Sequence, residues 1–310
     1  MTDQLTDQII EAPTTPQPLF GMQPGQEIDA ATNPAMANML GQLAMSGDMP
    51  PDPDDEPKYM PDIPDGSVTL AAGYVDADGE CTRDAEVREL TGVDEEAMGK
   101  KDATGNLARF IDVIVRRGTV SIGGRDATKE MLDSLLIGDR DVLALAIRRA
   151  TYGDTLRLPL VCPSCEHEFE VDYDLTDGGD IPSKPYTHGA ERSVTVELTR
   201  GRSATVGLVD GAIQKIVFTN DRKNLSNAET NTLILSRTLL AYHDGRGPVS
   251  MVDRPRIARN MGMRDRAALV KAMIEAQPGP QYDDLKQECP NCAETLPLAV
   301  DYGMLFRPTD

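Results

Sequence analysis

The chain has few aromatic residues, histidines and cysteines. Its 310 residues include no Trp, five Phe, eight Tyr, three His and five Cys. Any core must therefore be mainly aliphatic, and so few histidines leave little material for general acid–base catalysis. Five cysteines, four of them in two Cys-x-x-Cys pairs, suit a reducing compartment and metal binding better than a disulfide framework. These shortages argue against a histidine-based enzyme and a disulfide-stabilised fold.

Long apolar runs and a secretory leader are also missing. No window approaches the ~18 apolar residues of a membrane span. The first stretch, MTDQLTDQIIEAPTTPQ, carries acids where a secretory leader carries bases. We therefore expect a protein that is made in a cytosol, stays soluble and has no membrane partner.

Positive charge is scarce. Thirty-one Lys and Arg face 51 Asp and Glu, which gives a formal net charge of −20. Residues 66–310 alone sum to −9, from 30 basic and 39 acidic residues. This surplus of negative charge disfavours binding to nucleic acid or anionic membranes through bulk electrostatics.

The first 66 residues differ in composition from the rest. Residues 1–65 hold 11 of the 22 prolines, with 12 acidic residues and one basic residue. This composition cannot bury enough apolar surface to offset ordering entropy, so it predicts a disordered acidic, Pro-rich arm over 1–66. Within it, NPAMANMLGQLAM has good helix-start residues and one apolar face, which predicts a short helix over 33–46 that could dock on a partner.

From residue 67 onward the patterns predict an α+β fold of two duplicated halves, each a hairpin followed by helices. SVTLAAGYV and DAEVREL are strand-like, and NLARFIDVIVRRG, TKEMLDSLL and DRDVLALAIRRATYG are helical. A similar series follows with SVTVELTRGRSATVGL as a hairpin, then VDGAIQKIVF, and then NTLILSRTLLAYHDGRG as one amphipathic helix ending at glycine. We predict a first half over 67–175, a linker over 176–192 and a second half over 193–310.

Ordered landmarks support the duplication. Val93 matches Val209 at an offset of 116, MGMRDRAALVKAMIEA aligns with IGDRDVLALAIRRA at 124, and ECPNCAETLPLAVDY aligns with VCPSCEHEFEVDY at 127. A slowly drifting offset over ordered landmarks indicates an internal repeat.

The two cysteine pairs predict one shared metal site. Cys162 and Cys165 form one pair, Cys289 and Cys292 the other, and both lie in Cys-Pro-x-Cys turns between strands. A zinc ion bound by four thiolates is typical of a structural site, because no coordination position is left open for a catalytic water. The 123 residues between Cys165 and Cys289 exceed the spacing of an ordinary ribbon. The duplication explains this gap, because each half then contributes one zinc knuckle and the ion joins them as a split zinc ribbon.

Several other readings stay open. His167 could join Cys162 and Cys165 as a local ligand, while His188 and His243 are weaker candidates. Paired cysteines could instead do redox chemistry, but that normally needs a pair at a helix start. Cys81 stands alone and is interpreted as an incidental thiol.

Other sequence features give little support to catalysis. Phosphate-loop, HExxH and GxSxG motifs do not occur. Acids at 94–96 and 283–284 are interpreted as helix-start or loop charges. Arg192, Arg200 and Arg202 gather around one predicted hairpin and could contact phosphate, although a solvated tip is the simpler interpretation. We therefore predict a protein that is not an enzyme and has no small-molecule substrate.

Four segments resemble a known family. They are VRELTGVDEEAM, GDRDVLALAIRRATYGD, CPSC and the closing CPNC with VDYGMLFRP. Together they are similar to the zinc-ribbon baseplate proteins of tailed phages, relatives of the T-even baseplate hub subunit and assembly protein. The resemblance covers about residues 84–310 and leaves out the acidic arm.

The resemblance implies a structural or assembly role in the phage tail tip. Its partners would be other tail and baseplate proteins, met in the host cytoplasm during assembly, and retention in the virion tail is left open. It carries over no catalytic residues, only Cys162, Cys165, Cys289 and Cys292. The alternative is a nucleic-acid-associated zinc-ribbon protein acting in transcription, which the negative charge of residues 66–310 disfavours.

Overall fold

A computed structural model describes residues 65–99, 107–189, 191–217, 225–282, 285–298, 300 and 302–306, with the backbone alone at 107–109. All of them belong to one unit of the chain, residues 58–310. The helix predicted over 33–46 lies outside the described residues. So does the predicted arm, apart from its last two residues, since the first strand begins at Gly66.

The first half of the described chain combines a four-stranded sheet, four helices and a separate hairpin. Its elements are β1 (Gly66–Val75), β2 (Cys81–Val87), α1 (Gly92–Gly99), α2 (Leu107–Gly118), β3 (Thr119–Ile122), β4 (Arg125–Asp126), α3 (Lys129–Ser134), α4 (Ile137–Tyr152), β5 (Thr155–Val161) and β6 (Glu168–Asp174). The sheet has the order β1-β2-β3-β4, and every pairing in it is antiparallel. The β5–β6 hairpin stands apart from this sheet and follows the longest helix.

The second half follows a similar order after the short strand β7 (Ser183–Lys184). Its elements are β8 (Ser193–Glu197), β9 (Ser203–Gly207), α5 (Gly211–Val217), α6 (Asn227–Thr238), β10 (Leu239–His243), α7 (Arg254–Asn260), α8 (Met263–Ala276), β11 (Gly279–Pro280), β12 (Lys286–Glu288), β13 (Thr295–Pro297) and α9 (Tyr302–Leu305). Here the sheet order is β8-β9-β10, and β12 pairs with β13 in a separate hairpin. In each half, the third strand pairs with the second strand of the first hairpin and comes directly after a helix. The mixed helix and strand content confirms the predicted α+β class.

One sequence-based prediction is wrong in part. The segment NTLILSRTLLAYHDGRG was predicted as a single helix ending at glycine, but α6 ends at Thr238 and the next five residues form β10. The apolar periodicity continues through Leu239 and Leu240, so the local pattern hides the change. Antiparallel pairing with β9, from Leu239 opposite Val206 to His243 opposite Ser203, supplies the backbone partners that convert this segment to a strand.

Charged residues at the start of α4 fix that helix to three neighbouring segments. The Asp139 carboxylate accepts hydrogen bonds from the backbone amides of Ala72 (2.8 Å) and Gly73 (3.1 Å) in β1. Arg140, which is fully buried, pairs with Asp112 of α2 at 3.0 Å. Asp141 accepts a hydrogen bond from the hydroxyl of Tyr302 in α9. The second half has a comparable anchor, because Asp265 of α8 accepts from the Thr199 amide at 3.0 Å and pairs with Arg202 at 3.0 Å.

Two main clusters of buried aliphatic residues form the core, and the larger one crosses the two halves. It contains β1, β2, α2, α3 and α4 side chains together with residues from the end of the chain. Those C-terminal members are Leu285, Leu298, Val300, Leu305 and Phe306. The smaller cluster lies among β9, α6, α7 and α8. The C-terminal segment therefore packs into the core of the first half.

Backbone contacts also join the halves. β7 pairs with β11, the Ile137 amide donates to the Val209 carbonyl at 3.1 Å, and the Gly211 amide donates to the Leu135 carbonyl at 3.0 Å. Among the described helices, none has both the length and the apolar character needed to cross a membrane.

Candidate metal centre

The first cysteine pair lies in the tight turn of the β5–β6 hairpin. These strands pair without a register shift from Thr155 opposite Asp174 to Val161 opposite Glu168. The turn closes with two backbone hydrogen bonds, from the Cys162 amide to the His167 carbonyl (3.0 Å) and from the Glu166 amide to the Cys162 carbonyl (2.8 Å).

The second cysteine pair has the same turn geometry. The Cys289 amide donates to the Glu294 carbonyl at 2.8 Å, and the Ala293 amide donates to the Cys289 carbonyl at 2.9 Å. In each turn the residue four places after the first cysteine has left-handed backbone geometry, with φ of 56° at Glu166 and 58° at Ala293. A non-glycine residue in this region costs energy, so its presence at both equivalent positions marks a specific turn.

The fold brings all four sulfur atoms together. Each lies within 4.8 Å of the others, and the Cys162–Cys292 and Cys165–Cys289 sulfur pairs are both 3.6 Å apart. A disulfide would need about 2.0 Å, so these are free thiols. A tetrahedral zinc site with bonds of about 2.3 Å places its sulfurs about 3.8 Å apart. The cluster therefore has the size and the donor set of a site that could hold a metal ion.

Burial at the cluster is graded. Cys162 and Cys289 are 0% and 2% exposed and pack with Leu296 and Phe169, whereas Cys165 is half-buried and Cys292 is exposed. The first cysteine of each pair thus lies on the apolar side of the cluster, and the second lies nearer the solvent.

The thiols influence one another strongly. A hydrogen bond from the Asn291 side chain, with a second from the His167 backbone, lowers the pKa of Cys165 to about 6. A hydrogen bond from the Glu294 backbone lowers the pKa of Cys292, but the neighbouring thiols outweigh it and raise that pKa to about 12. Four adjacent thiolates repel each other, so together they favour a bound cation.

Asn291 is a contributor that sequence reasoning missed. It occupies the variable position of the second Cys-Pro-x-Cys turn, and its side-chain amide donates a hydrogen bond to Cys165 of the first turn. The first turn has Ser164 at that position, so the only sequence signal was an amide donor between two cysteines.

The histidine candidates lie apart from this cluster. No His joins the four cysteines, which are the only group of three or more His, Cys, Asp or Glu residues with metal-binding spacing in the described ranges. His167 stacks on Phe169 with ring centroids 5.9 Å apart, and His243 accepts from the Gly245 amide through Nδ1 at 3.2 Å. His188 lies beside Tyr186. The Cys81 thiol, also outside the cluster, donates to the Ala72 carbonyl at 3.2 Å.

Two of the three hairpin arginines have structural partners. Arg192 donates to the carbonyls of Ser134 and Gly73, and Arg202 pairs with Asp265. Arg200 is exposed and left-handed, with φ of 61°. The three side chains therefore do not converge into the phosphate site considered from the sequence.

Of the acidic residues considered from the sequence, Asp94 has structural partners, whereas Glu95 and Glu96 are exposed on α1. Asp94 lies in the first turn of α1 and pairs with Arg88 at 2.8 Å and Arg117 at 3.1 Å. Burial opposes ionisation of Asp94, but the hydrogen bond from Arg88 and its other partners keep the pKa of this carboxyl below the usual value. Residues 283 and 284 lie outside the described residues.

The fold and the cluster define a mixed α+β protein with four convergent cysteines that could hold a metal ion. Residues 86–302, more than half of the chain, match the family described as T4 bacteriophage base plate protein. The chain belongs to this family and is a T4-like phage baseplate protein, which confirms the family suggested by the four sequence segments. Comparisons with curated proteins and with solved structures give no match.

Proposed function

We propose that this chain is a non-enzymatic structural or assembly component of a phage baseplate, stabilised by one zinc ion on Cys162, Cys165, Cys289 and Cys292. Membership of the baseplate family supports the role, and the shared geometry of the two cysteine turns supports the site. Zinc fits a cluster of four sulfur donors better than the hard cations do, because Mg²⁺ and Ca²⁺ prefer oxygen. Its contribution is to folding, since four protein ligands leave no open position for a reacting water.

We further propose that the two halves arose by duplication, with the divisions 67–175, 176–192 and 193–310. Three observations support this. Sheets β1-β2-β3 and β8-β9-β10 have the same order, a helix precedes the third strand in both, and a knuckle hairpin closes both. The two knuckles would then be equivalent parts of one split zinc ribbon.

The proposed partners are other tail and baseplate proteins, met in the host cytoplasm during assembly and retained in the virion tail. Nucleic acid, membranes and small-molecule substrates are not part of this proposal. The predicted acidic arm over 1–66, with its helix at 33–46, would supply a further contact with a partner.

The metal test compares zinc content between cysteine variants of the full chain, purified under reducing conditions. Wild type should hold one zinc per chain by elemental analysis, and Cys289→Ser should lose tight binding because three thiolates hold the ion less firmly. Cys81→Ser is the matched control, since Cys81 lies outside the cluster. If Cys289→Ser kept one tightly held zinc per chain, the shared site would be wrong.

A spectroscopic measurement covers the case in which Cys289→Ser does not fold. Cobalt replacing zinc in wild type should give the absorption of a tetrahedral four-thiolate site. A spectrum with nitrogen or oxygen ligands would contradict the proposed ligand set.

A further inference from the structure

Helix α8 exposes a stripe of apolar side chains, of which only one also packs against the core. Met263 is 89% exposed and Ile274 is 66% exposed, which is unusual for side chains of this size. Ala267 is exposed between them, and Val270 is half-buried. At about 3.6 residues per turn these four positions lie on one side of the helix.

The opposite side of α8 already packs inside the protein. Asp265, Leu269, Met273 and Ala276 are buried, and Leu269 and Met273 belong to the smaller core cluster. Of the four stripe residues, only the half-buried Val270 also packs against this cluster. The stripe is therefore a second apolar surface, which borders the packed side of the helix at Val270. A helix with two apolar sides normally has a second neighbour.

The spacing of the stripe is symmetrical. From Met263 the intervals are four residues to Ala267, three to Val270 and four to Ile274. These intervals are the same in both directions along the helix. The apolar residues of a second, antiparallel copy of α8 can therefore lie opposite those of the first. Small Ala267 near the middle lets two helix backbones approach closely.

The charges beside the stripe are complementary in the same register. Arg264 lies at one end and Glu275 at the other, and both are exposed. Within the described ranges Arg264 makes no ion pair. The Glu275 carboxylate pairs with the exposed Lys271 at 3.6 Å, and the Lys184 ammonium donates to the Glu275 backbone carbonyl. In an antiparallel pair, each Arg264 would lie near Glu275 of the second copy, once on each side of the axis.

We propose that α8 is a homodimer interface, in which the stripe of one copy packs antiparallel on the stripe of another. Met263 meets Ile274 of the second copy, Ala267 meets Val270 of the second copy, and two Arg264–Glu275 ion pairs flank them. A two-fold interface uses one patch twice and must be self-complementary, which this spacing and these charges satisfy. The contact is small, so the dimer forms with increasing concentration and strengthens when baseplate assembly brings copies together.

The test is the concentration dependence of molecular mass, measured by analytical ultracentrifugation on the full chain loaded with zinc. The mass should rise from that of one 33.7 kDa chain towards twice that value. Ile274→Glu should raise the dissociation constant of the dimer by about tenfold or more, because it places a charge in the apolar stripe. Val252→Glu is the control, since Val252 is 94% exposed and lies outside the stripe.

A charge exchange separates this interface from a general surface effect. Arg264→Glu and Glu275→Arg should each weaken the dimer by about tenfold, because each puts like charges opposite one another twice. The double variant should recover wild-type association. A monomer at all concentrations, a dimer insensitive to Ile274→Glu, or a double variant as weak as the single ones would overturn the proposal. Loss of binding to a different baseplate protein by a monomeric Ile274→Glu variant would overturn it too, by giving the stripe another partner.

Discussion

At the residue scale, three consecutive side chains at the start of α4 contact three different segments of the protein. Asp139 and Arg140 make charge-assisted contacts with β1 and α2. Asp141 instead meets the hydroxyl of Tyr302, with Tyr282 nearby. Burial raises the pKa of Asp141 to about 7, although the hydrogen bond from Tyr302 and the charge of Arg140 act in the other direction. A proton on this carboxyl therefore relieves the cost of burying its charge, whereas the hydrogen bond from Tyr302 favours the ionised form.

The raised pKa gives a prediction for the pH dependence of stability. The folded protein binds the Asp141 proton more tightly than the unfolded chain, in which Asp has a pKa near 3.9. Between about pH 4 and pH 7 this group therefore makes the free energy of unfolding fall as pH rises. Asp141→Asn stays neutral and removes that dependence, so the two proteins should diverge by about 2 kcal/mol between pH 5 and pH 8.

Urea unfolding at several pH values measures this difference directly. Asp84→Asn is a suitable control, because Asp84 is an exposed residue of β2. Parallel pH profiles for wild type and Asp141→Asn would show that this carboxyl does not bind a proton near neutrality.

At the scale of single elements, Gly138 in the first turn of α4 and Gly262 at the N-cap of α8 have different surroundings. A Cβ on Gly138 would overlap the carbonyl oxygen of Pro278, whereas a Cβ on Gly262 would have nothing nearer than an Asp265 carboxylate oxygen at 3.8 Å. Gly138 thus lets α4 touch the backbone leading into β11. The sequence alignment pairs these glycines, but only one of them supports a contact between the halves.

Alanine at each position should separate these roles. Gly138→Ala should lower the free energy of unfolding by about 3 kcal/mol, because neither backbone can move away easily. Gly262→Ala, at the N-cap of α8, should lower it by no more than about 1 kcal/mol, because alanine is a poorer N-cap than glycine but meets no close atom here. Equal losses in urea unfolding would contradict the close approach at Gly138.

Elements with strong local signals were predictable from the sequence, and those created by distant partners were not. The helix α2, the β5–β6 hairpin and the two cysteine turns all carry their own periodicity or turn residues. β10 has no such signal, because Leu239 and Leu240 continue the helical pattern of α6 and become a strand through pairing with β9. The convergence of four cysteines was predictable because two similar Cys-Pro-x-Cys turns, with 123 residues between them, each supply two of the four ligands of a metal site. Asn291 beside Cys165 depends on the final approach of the knuckles, which no local pattern encodes.

At the scale of the whole molecule, the four cysteines are one of several connections between the halves. Leu285, Leu298 and Phe306 belong to the second half in sequence but lie in the core of the first. A further small cluster combines Ala72 and Leu136 with Leu208 and Ala276. Burial of the five C-terminal core side chains alone corresponds to an upper figure on the order of 10 kcal/mol. The proposed zinc therefore strengthens a junction that apolar packing already makes.

Cutting the chain between the halves tests whether apolar packing holds them together more strongly than the proposed zinc does. A protease site inserted after the exposed Thr187 allows cleavage between β7 and β8. The two fragments should stay together in native buffer, and they should still co-elute after zinc is removed by a chelator, because the C-terminal segment remains in the first core. Chelation should lower the thermal midpoint of the cut protein, since metal binding contributes to folding. The uncut insertion variant is the control for the inserted sequence. Separation of the fragments by chelator alone, without denaturant, would mean that the cysteine cluster is the main junction and that the shared apolar core contributes little.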